Sequence, residues 1–277
     1  MRPTLLCFVV VALAVAGAAF AGSGAAPGTI LAALNSQRTA NGIPGRVKEN
    51  PDWSQKCARH IAYMGSTGTL AHSEDPASPA YSAAGNWAGE NSVLAEGTSW
   101  PNGNPFANAP IHLIQLMSPE LRQVGIEASS GYVCVTTWPG YGSSGWKRPT
   151  VFSVPGNGST RVPYAETADE FPFVPGDVVG LPRGTRTGFN IMVFAEGLRD
   201  PWHAHITAAT LTGPHGPVAL RTVDRTNATI GPYLPSGSGF IIPVAPLEPA
   251  TTYKASVVFG NGQARRTWHF TTATAKG

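Results

Sequence analysis

Two histidines and a glutamate in the first half of the chain have the side chains for metal binding or proton transfer. They are His72, His112 and, between them, Glu90 in a Gly-Glu-Asn tripeptide. Imidazole and carboxylate groups are ligands of divalent zinc, and neutral imidazole exchanges protons near physiological pH. The three residues do not share one helical face, so only the folded chain can bring them together. Spacing alone is weak evidence for a shared site. The histidines could instead form a hydrogen-bonded core pair, and Glu90 could accept backbone N–H groups at a turn.

Other histidines and acids are weaker candidates. Glu74 lies two residues from His72 and could supply a second carboxylate. His60 lies beside the apolar face of a predicted helix, which favours a structural role. His203 and His205 would point to one side of a strand, as metal ligands can, but the sequence identifies no carboxylate as their neighbour in space.

The serines near these histidines do not form a recognisable nucleophile motif. Ser73 is adjacent to His72 and would face the opposite side of a strand, whereas Ser92 could approach a histidine. Neither lies in the Gly-x-Ser-x-Gly turn of a nucleophile elbow. The enzymatic alternative is therefore a metal-dependent extracellular hydrolase, in which Glu90 is the general base for a metal-activated water.

Three helices and two strands are predicted around these residues. One helix covers 28–41. The next begins at Asn50-Pro51, because asparagine caps a helix and proline suits its first position. It is expected to end near Gly65. The remaining elements are a helix at 111–117 and strands at 123–126 and 131–138, so this half is of the α+β class.

The sequence pattern changes after residues 139–148, which have the composition of a linker. Short segments of alternating polarity then predict an all-β, immunoglobulin-like sandwich over 149–277. The stretch from Leu247 to Tyr253 resembles the tyrosine corner of fibronectin-III and related domains. The predicted strands lie at 189–194, 205–211, 218–223, 240–244, 253–259 and 266–272.

Composition and charge exclude several classes of protein. The chain of 277 residues has 32 glycines and 25 prolines, yet 42% of it is hydrophobic, which indicates a globular protein with many turns. The net charge of +3 comes without a basic run, so nucleic acid is not an expected partner. No transmembrane segment is predicted, since no stretch approaches ~20 apolar residues. Nothing in the sequence indicates an oligomeric state.

The first 21 residues have the pattern of a secretory signal peptide. Arg2 precedes an apolar run over 5–15, and residues 19–21 form a small-x-small cleavage site. We therefore predict a secreted protein, either extracellular or associated with the cell envelope. In that oxidising compartment Cys57 and Cys134 are expected to form a disulfide worth about 4 kcal/mol, with two buried free thiols as the alternative.

Several motifs follow one another along residues 28–138. They are Leu34-Asn35-x-x-Arg38, Trp53 through His60 to Tyr63, His72, Gly89-Glu90-Asn91, and His112 followed by Val124-Gly125-Ile126. In these motifs and their order, residues 28–138 resemble the CAP superfamily (cysteine-rich secretory proteins, antigen 5 and pathogenesis-related proteins) in its bacterial form. The resemblance implies a three-layer α-β-α sandwich over 22–138 with His72, Glu90 and His112 in one cleft. In some members the two histidines hold a divalent metal.

One segment departs from the family pattern. Many members carry a second cavity glutamate on a tryptophan-rich helix, but here Glu96 precedes Trp100 and comes too early to match. The glycines and prolines from Pro101 to Pro110 predict a loop in place of that helix, which would open the cleft. The fourth cavity ligand therefore stays unassigned, with Glu74 as a candidate.

These observations favour a secreted, non-catalytic binding module tethered to an immunoglobulin-like domain. The cleft would hold a divalent metal, with zinc on His72 and His112, or an apolar ligand. The resemblance implies sterols, lipids or a cell-envelope component as partners. Besides the hydrolase with Glu90 as its base, a structural envelope or adhesion protein that binds no small molecule is the remaining alternative.

Overall fold

The computed structural model describes residues 26–97, 100, 103–143 and 145–275, and the chain over this part is mixed α+β. The predicted signal sequence lies outside the described residues. Among the described residues, the first half contains four α-helices and a four-stranded sheet, and the second half is built from strands and short 3-10 turns. Within this part of the chain, no helix is long and apolar enough to cross a membrane.

The three predicted helices of the first half are confirmed, and a fourth is present. The second helix begins where the Asn50 side chain accepts the N–H groups of Asp52 and Trp53. It continues past Gly65, because the residue that ends it is Gly68, with a left-handed φ of 65°. The helices are α1 (Pro27–Ala40), α2 (Pro51–Thr67), α3 (Ala83–Glu90) and α4 (Pro110–Met117).

The sheet of the first half has helices on both faces. Its strands are β1 (Lys48–Glu49), β2 (Ser92–Glu96), β3 (Gln123–Ser129) and β4 (Tyr132–Thr136), in the order β1-β3-β4-β2. Only the β1–β3 pair is parallel. Along β4 the side chains alternate: Val133 and Val135 join a core with side chains of α1 and α4, and Cys134 joins a core with side chains of α2 and α3.

The predicted disulfide is confirmed. Cys57 of α2 and Cys134 of β4 are bonded, with their Cα atoms 5.6 Å apart. The bond therefore ties the longest helix of the first half to the sheet on which it lies.

The second half consists of two larger sheets and a two-stranded ribbon. The strands are β5 (Thr150–Val154), β6 (Ser159–Val162), β7 (Glu166–Thr167), β8 (Arg186–Thr187), β9 (Ile191–Glu196), β10 (Ile206–Gly213), β11 (Gly216–Pro217), β12 (Leu220–Asp224), β13 (Ser238–Pro243), β14 (Thr252–Phe259) and β15 (Ala264–Thr272). One sheet has the order β11-β10-β14-β15-β6, the other the order β12-β13-β9-β5, and β7 pairs with β8. Each of the six segments predicted from alternation contains a strand.

The two halves share one hydrophobic core and are joined by hydrogen bonds around α4. The Gln115 amide donates to the Tyr233 carbonyl at 3.0 Å, and Ser236 donates to the Glu120 carboxylate at 2.6 Å. Part of the predicted linker also belongs to the first half, since the backbone of residues 140–142 pairs with that of residues 120–122. The second half is therefore packed against the first rather than held away from it.

Candidate functional site

A large cleft lies where the two halves meet. Its volume is about 1110 Å³, and it contains His72, Glu90 and His112 together. The first half also contributes Leu70, Ala71, Ser73, Ser92, Leu94, Ala95, Glu96, Pro105, Phe106, Ala109, Ile111, Gln115 and Trp138. The second half contributes Asp169, Glu170, Phe171, Pro172, Phe173, Arg183, Pro232 and Tyr233.

His72 is held in one tautomer by the backbone. Its Nδ1 lies 2.9 Å from the Gly89 carbonyl oxygen, which can only accept, so Nδ1 carries the hydrogen. Burial lowers the pKa of His72; the hydrogen bond to Gly89 opposes this, and the charges of His112 and His60 add to it. The ring is therefore neutral at physiological pH and leaves Nε2 as its unprotonated atom.

His112 is positioned by a carboxylate from the second half of the chain. Glu170 Oε2 lies 2.8 Å from His112 Nδ1 and accepts the backbone N–H of the same residue at 3.1 Å. The other oxygen of Glu170 accepts the Ile111 N–H at 2.8 Å. Helix α4 has no cap from the preceding Ala109, so Glu170 supplies it. A carboxylate is favoured there because helix N-termini carry partial positive charge.

The pKa of the Glu170 carboxyl lies above its ordinary value, because burial outweighs the contacts that favour the ionised form. Burial raises the pKa of Glu170, and the hydrogen bonds from the His112 ring and from the helix N–H groups lower it. An ionised Glu170 can only accept hydrogen bonds, so the two backbone N–H groups and the His112 ring must all donate to it. The hydrogen of the His112 ring is then on Nδ1. The carboxylate thus orients this imidazole as the Gly89 carbonyl orients the other.

The two histidine rings lie close together, and an aromatic ring supports His112. The ring centroids of His72 and His112 are 6.0 Å apart at an angle of 23°. Phe106 stacks on His112 at 5.9 Å, and buried Trp100 meets Phe106 edge-on at 6.0 Å. Phe106 lies in the described part of the Gly/Pro-rich segment, where residues 103–109 form turns and no helix. The predicted loop therefore places an aromatic ring beneath His112.

Glu90 lines the cleft without touching either histidine. It is exposed at the end of α3, and its carboxylate accepts the Asn86 side-chain N–H at 3.0 Å. No hydrogen bond from Glu90 to His72 or His112 occurs among the described residues. The three predicted residues thus share one cleft, but only the two histidines form a close pair.

Glu74 does not line the cleft and instead forms a buried pair with His60. The two side chains are joined at 3.0 Å, and the other His60 nitrogen lies 2.7 Å from the Ala71 carbonyl oxygen. The second Glu74 oxygen accepts the Ser82 N–H at 2.8 Å. This network fixes the segment that carries His72, in agreement with a structural role for His60.

The glycine of the Gly-Glu-Asn tripeptide allows α3 to approach this network. A Cβ atom at Gly89 would overlap the His60 ring and the backbone oxygen of His72. Only a residue without a side chain brings the Gly89 carbonyl to His72. The Gly-Glu-Asn tripeptide therefore positions His72 through Gly89, and it also places Glu90 at the cleft.

The described side chains do not form a group of three or more His, Cys, Asp or Glu residues suited to a metal ion. Glu170 is committed to the α4 N-terminus and Glu90 to Asn86. Two imidazoles alone fall short of the three or four ligands of a zinc site. The arrangement therefore does not fit a protein-only zinc centre.

The remaining candidates lie apart from the histidine pair or do not contact it. Ser92 bonds Thr136 at 2.9 Å beside the disulfide, and Ser73 lines the cleft with no hydrogen bond to a histidine. His203 pairs with exposed Asp200 at 2.8 Å, and neither His203 nor His205 lines the cleft. No nucleophile–base contact is present in the described part of the cleft.

Sequence reasoning missed Glu170. The residue lies 58 positions after His112, and no spacing rule joins the two. The one indirect signal was the absence of a well-placed second carboxylate in the first half. No protein-family model and no curated protein sequence matches this chain.

Proposed function

We propose that this is a secreted CAP-domain protein that acts as a non-catalytic binding module. Its cleft, formed jointly with an immunoglobulin-like second domain, holds a ligand with substantial apolar surface. The observation that carries this proposal is the rim of the cleft: Phe171 is 80% exposed there, with Leu70 and Tyr233 also exposed. Apolar side chains grouped at a concave surface are typical of binding sites.

Two features support the domain assignment. Helices on both faces of the β1–β4 sheet agree with the α-β-α layers that the CAP resemblance implies. In the second half, the Glu248 N–H donates to the Tyr253 hydroxyl at 2.8 Å, which is the contact that a tyrosine corner makes. The second domain then does more than act as a spacer, because it supplies Phe171 and Tyr233 to the cleft.

Binding is favoured over catalysis because the cleft holds oriented histidines, and none of its described side chains is aligned as a nucleophile. Glu90, the general base of the hydrolase alternative, bonds Asn86 rather than a histidine. Zinc on His72 and His112 would need further ligands from outside this cleft's own side chains, and titration calorimetry of the wild type and His72→Ala tests whether it binds. Equal heats in the two proteins would remove zinc from this account.

The proposal is tested with an uncharged apolar probe, N-phenyl-1-naphthylamine, whose fluorescence rises in apolar surroundings. We expect saturable binding that Phe171→Ala weakens by about tenfold to a hundredfold, since burying a phenyl ring contributes about 1.5–3 kcal/mol. Trp202→Ala is the matched control, because Trp202 is 54% exposed and lies outside the cleft. Equal binding by wild type and Phe171→Ala, or an equal loss in both variants, would contradict the proposal.

A further inference from the structure

We propose that the ligand of the cleft is a peptide segment that carries lysine or arginine side chains. This inference rests on the proposed function, and names the chemistry of the ligand that the cleft would bind. Three independent features lead to it: the charge of the lining, the acceptor atom of His72 and the aromatic rim.

The lining is acidic in a chain whose net charge is positive. Four of the 16 acidic residues line the cleft, namely Glu90, Glu96, Asp169 and Glu170, against one of the 19 lysines and arginines. That one cation, Arg183, is already bonded to Asp177 and to two backbone carbonyls. The cleft therefore has the sign that attracts a cation, opposite to that of the whole chain.

Two of these carboxylates have no partner in the described structure. Glu96 and Asp169 are exposed, and their side chains form no hydrogen bond or ion pair with the described residues. They lie on opposite halves, Glu96 at the end of β2 and Asp169 beside Glu170. A ligand between the halves would meet a free carboxylate on each side.

His72 adds an acceptor of a different kind. Its Nδ1 hydrogen is used by the Gly89 carbonyl, so the ring offers only Nε2, and this atom has no hydrogen-bond partner among the described residues. A neutral imidazole nitrogen of this kind binds a hydrogen-bond donor. Ammonium and guanidinium groups only donate hydrogen bonds. They would therefore suit both the carboxylates of the cleft and this nitrogen, which only accept.

The aromatic rim and the size of the cleft favour a peptide over a simple amine. Phe171 and Tyr233 offer ring faces on which lysine and arginine side chains pack. The volume, about 1110 Å³, is above the range of roughly 300–1,000 Å³ for small-molecule pockets. A peptide would bring both cations and apolar side chains, whereas a polyamine would bring only the cations.

The test compares two fluorescein-labelled octapeptides by fluorescence anisotropy, with chelator present. One alternates lysine with leucine, and the other alternates glutamate with leucine. We expect the lysine peptide to bind at least tenfold more tightly, and its binding to weaken as salt rises. Tighter or equal binding of the glutamate peptide, or binding of the lysine peptide only when zinc replaces the chelator, would overturn the inference.

Variants locate the binding on the cleft. The double variant Glu96→Gln/Asp169→Asn is expected to weaken the lysine peptide about fivefold, as two exposed ion pairs would. Glu127→Gln/Glu248→Gln removes the same charge outside the cleft and should change binding less than twofold. If both double variants lost affinity for the lysine peptide equally, the peptide would be attracted to the protein surface in general. That result would refute a binding site in the cleft.

The two proposals fail in different ways. If the naphthylamine probe binds and Phe171→Ala weakens it, but the lysine peptide shows no preference, only the inference about the ligand fails. If neither probe binds the folded wild type, the proposed function fails with it. Thermal unfolding of each variant confirms that the compared proteins are folded.

Discussion

Replacing Glu170 by glutamine should both destabilise the protein and release His112. The carboxylate accepts the Ile111 N–H, the His112 N–H and the His112 Nδ1 hydrogen, at 2.8, 3.1 and 2.8 Å. Glutamine keeps one acceptor oxygen but turns the other into a donor. That donor would face groups that are themselves donors, so at least one buried contact is lost.

The magnitude follows from the contacts that are lost. A charge-assisted hydrogen bond contributes about 1.5–3 kcal/mol, and a helix cap contributes about 1 kcal/mol. Part of this loss is offset because glutamine is uncharged and avoids the cost of burying a carboxylate. That cost exists in the wild type, since burial raises the pKa of the Glu170 carboxyl. We expect the free energy of unfolding to fall by about 2–3 kcal/mol, and Tm by roughly 5–10 °C.

Two assays check this prediction. Thermal unfolding of Glu170→Gln is compared with that of Asp169→Asn, which removes the same charge one residue away and should cost no more than about 0.5 kcal/mol. Long-range proton–nitrogen NMR of the His112 ring should show Nδ1 protonated in wild type and a mixture of tautomers in Glu170→Gln. Unchanged stability and an unchanged His112 tautomer, or an equal loss in Asp169→Asn, would refute the reasoning.

Three further predictions concern the frame of the site. Reducing the Cys57–Cys134 bond should lower the free energy of unfolding by about 4 kcal/mol in urea titrations, because the bond closes a long loop in the unfolded chain. Gly89→Ala should cost about 1–3 kcal/mol, as a Cβ would overlap its neighbours, whereas Gly28→Ala, with open space around it, should cost nothing. Burial raises the pKa of Glu166 to about 7 from 4.5, so the folded state binds this proton more tightly than the unfolded state. Stability should therefore decline as pH rises from about 4.5 to 7, and Glu166→Gln should remove this decline in urea titrations across that range.

The sequence predicted helices and strands well wherever a capping residue or a regular spacing of apolar residues marks them. Asn50-Pro51 predicted the start of α2, and the alternation of apolar residues predicted the strand at Thr252–Phe259. Helix α3 was missed because its eight residues carry too short an apolar pattern, and Gly89 within it signals a turn more than a helix. Its close contact with His60 explains the glycine, and no local rule reports such a contact.

The candidate site was predicted in part. The residue types of His72 and His112, with a family resemblance, placed both in one cleft, and the structure brings their rings within 6.0 Å. The partner of His112 is a different matter. Glu170 comes from the second half, across an interface formed by packing of the whole chain, so only tertiary structure reveals it.

The central claim is that both halves of the chain form one ligand-binding cleft. Hydrogen–deuterium exchange with and without saturating N-phenyl-1-naphthylamine tests it most directly. If both halves bind the probe, exchange should slow in residues 70–73 of the first half and 169–173 of the second, which line the cleft from opposite sides. Protection confined to one half, or found only away from these segments, would contradict it.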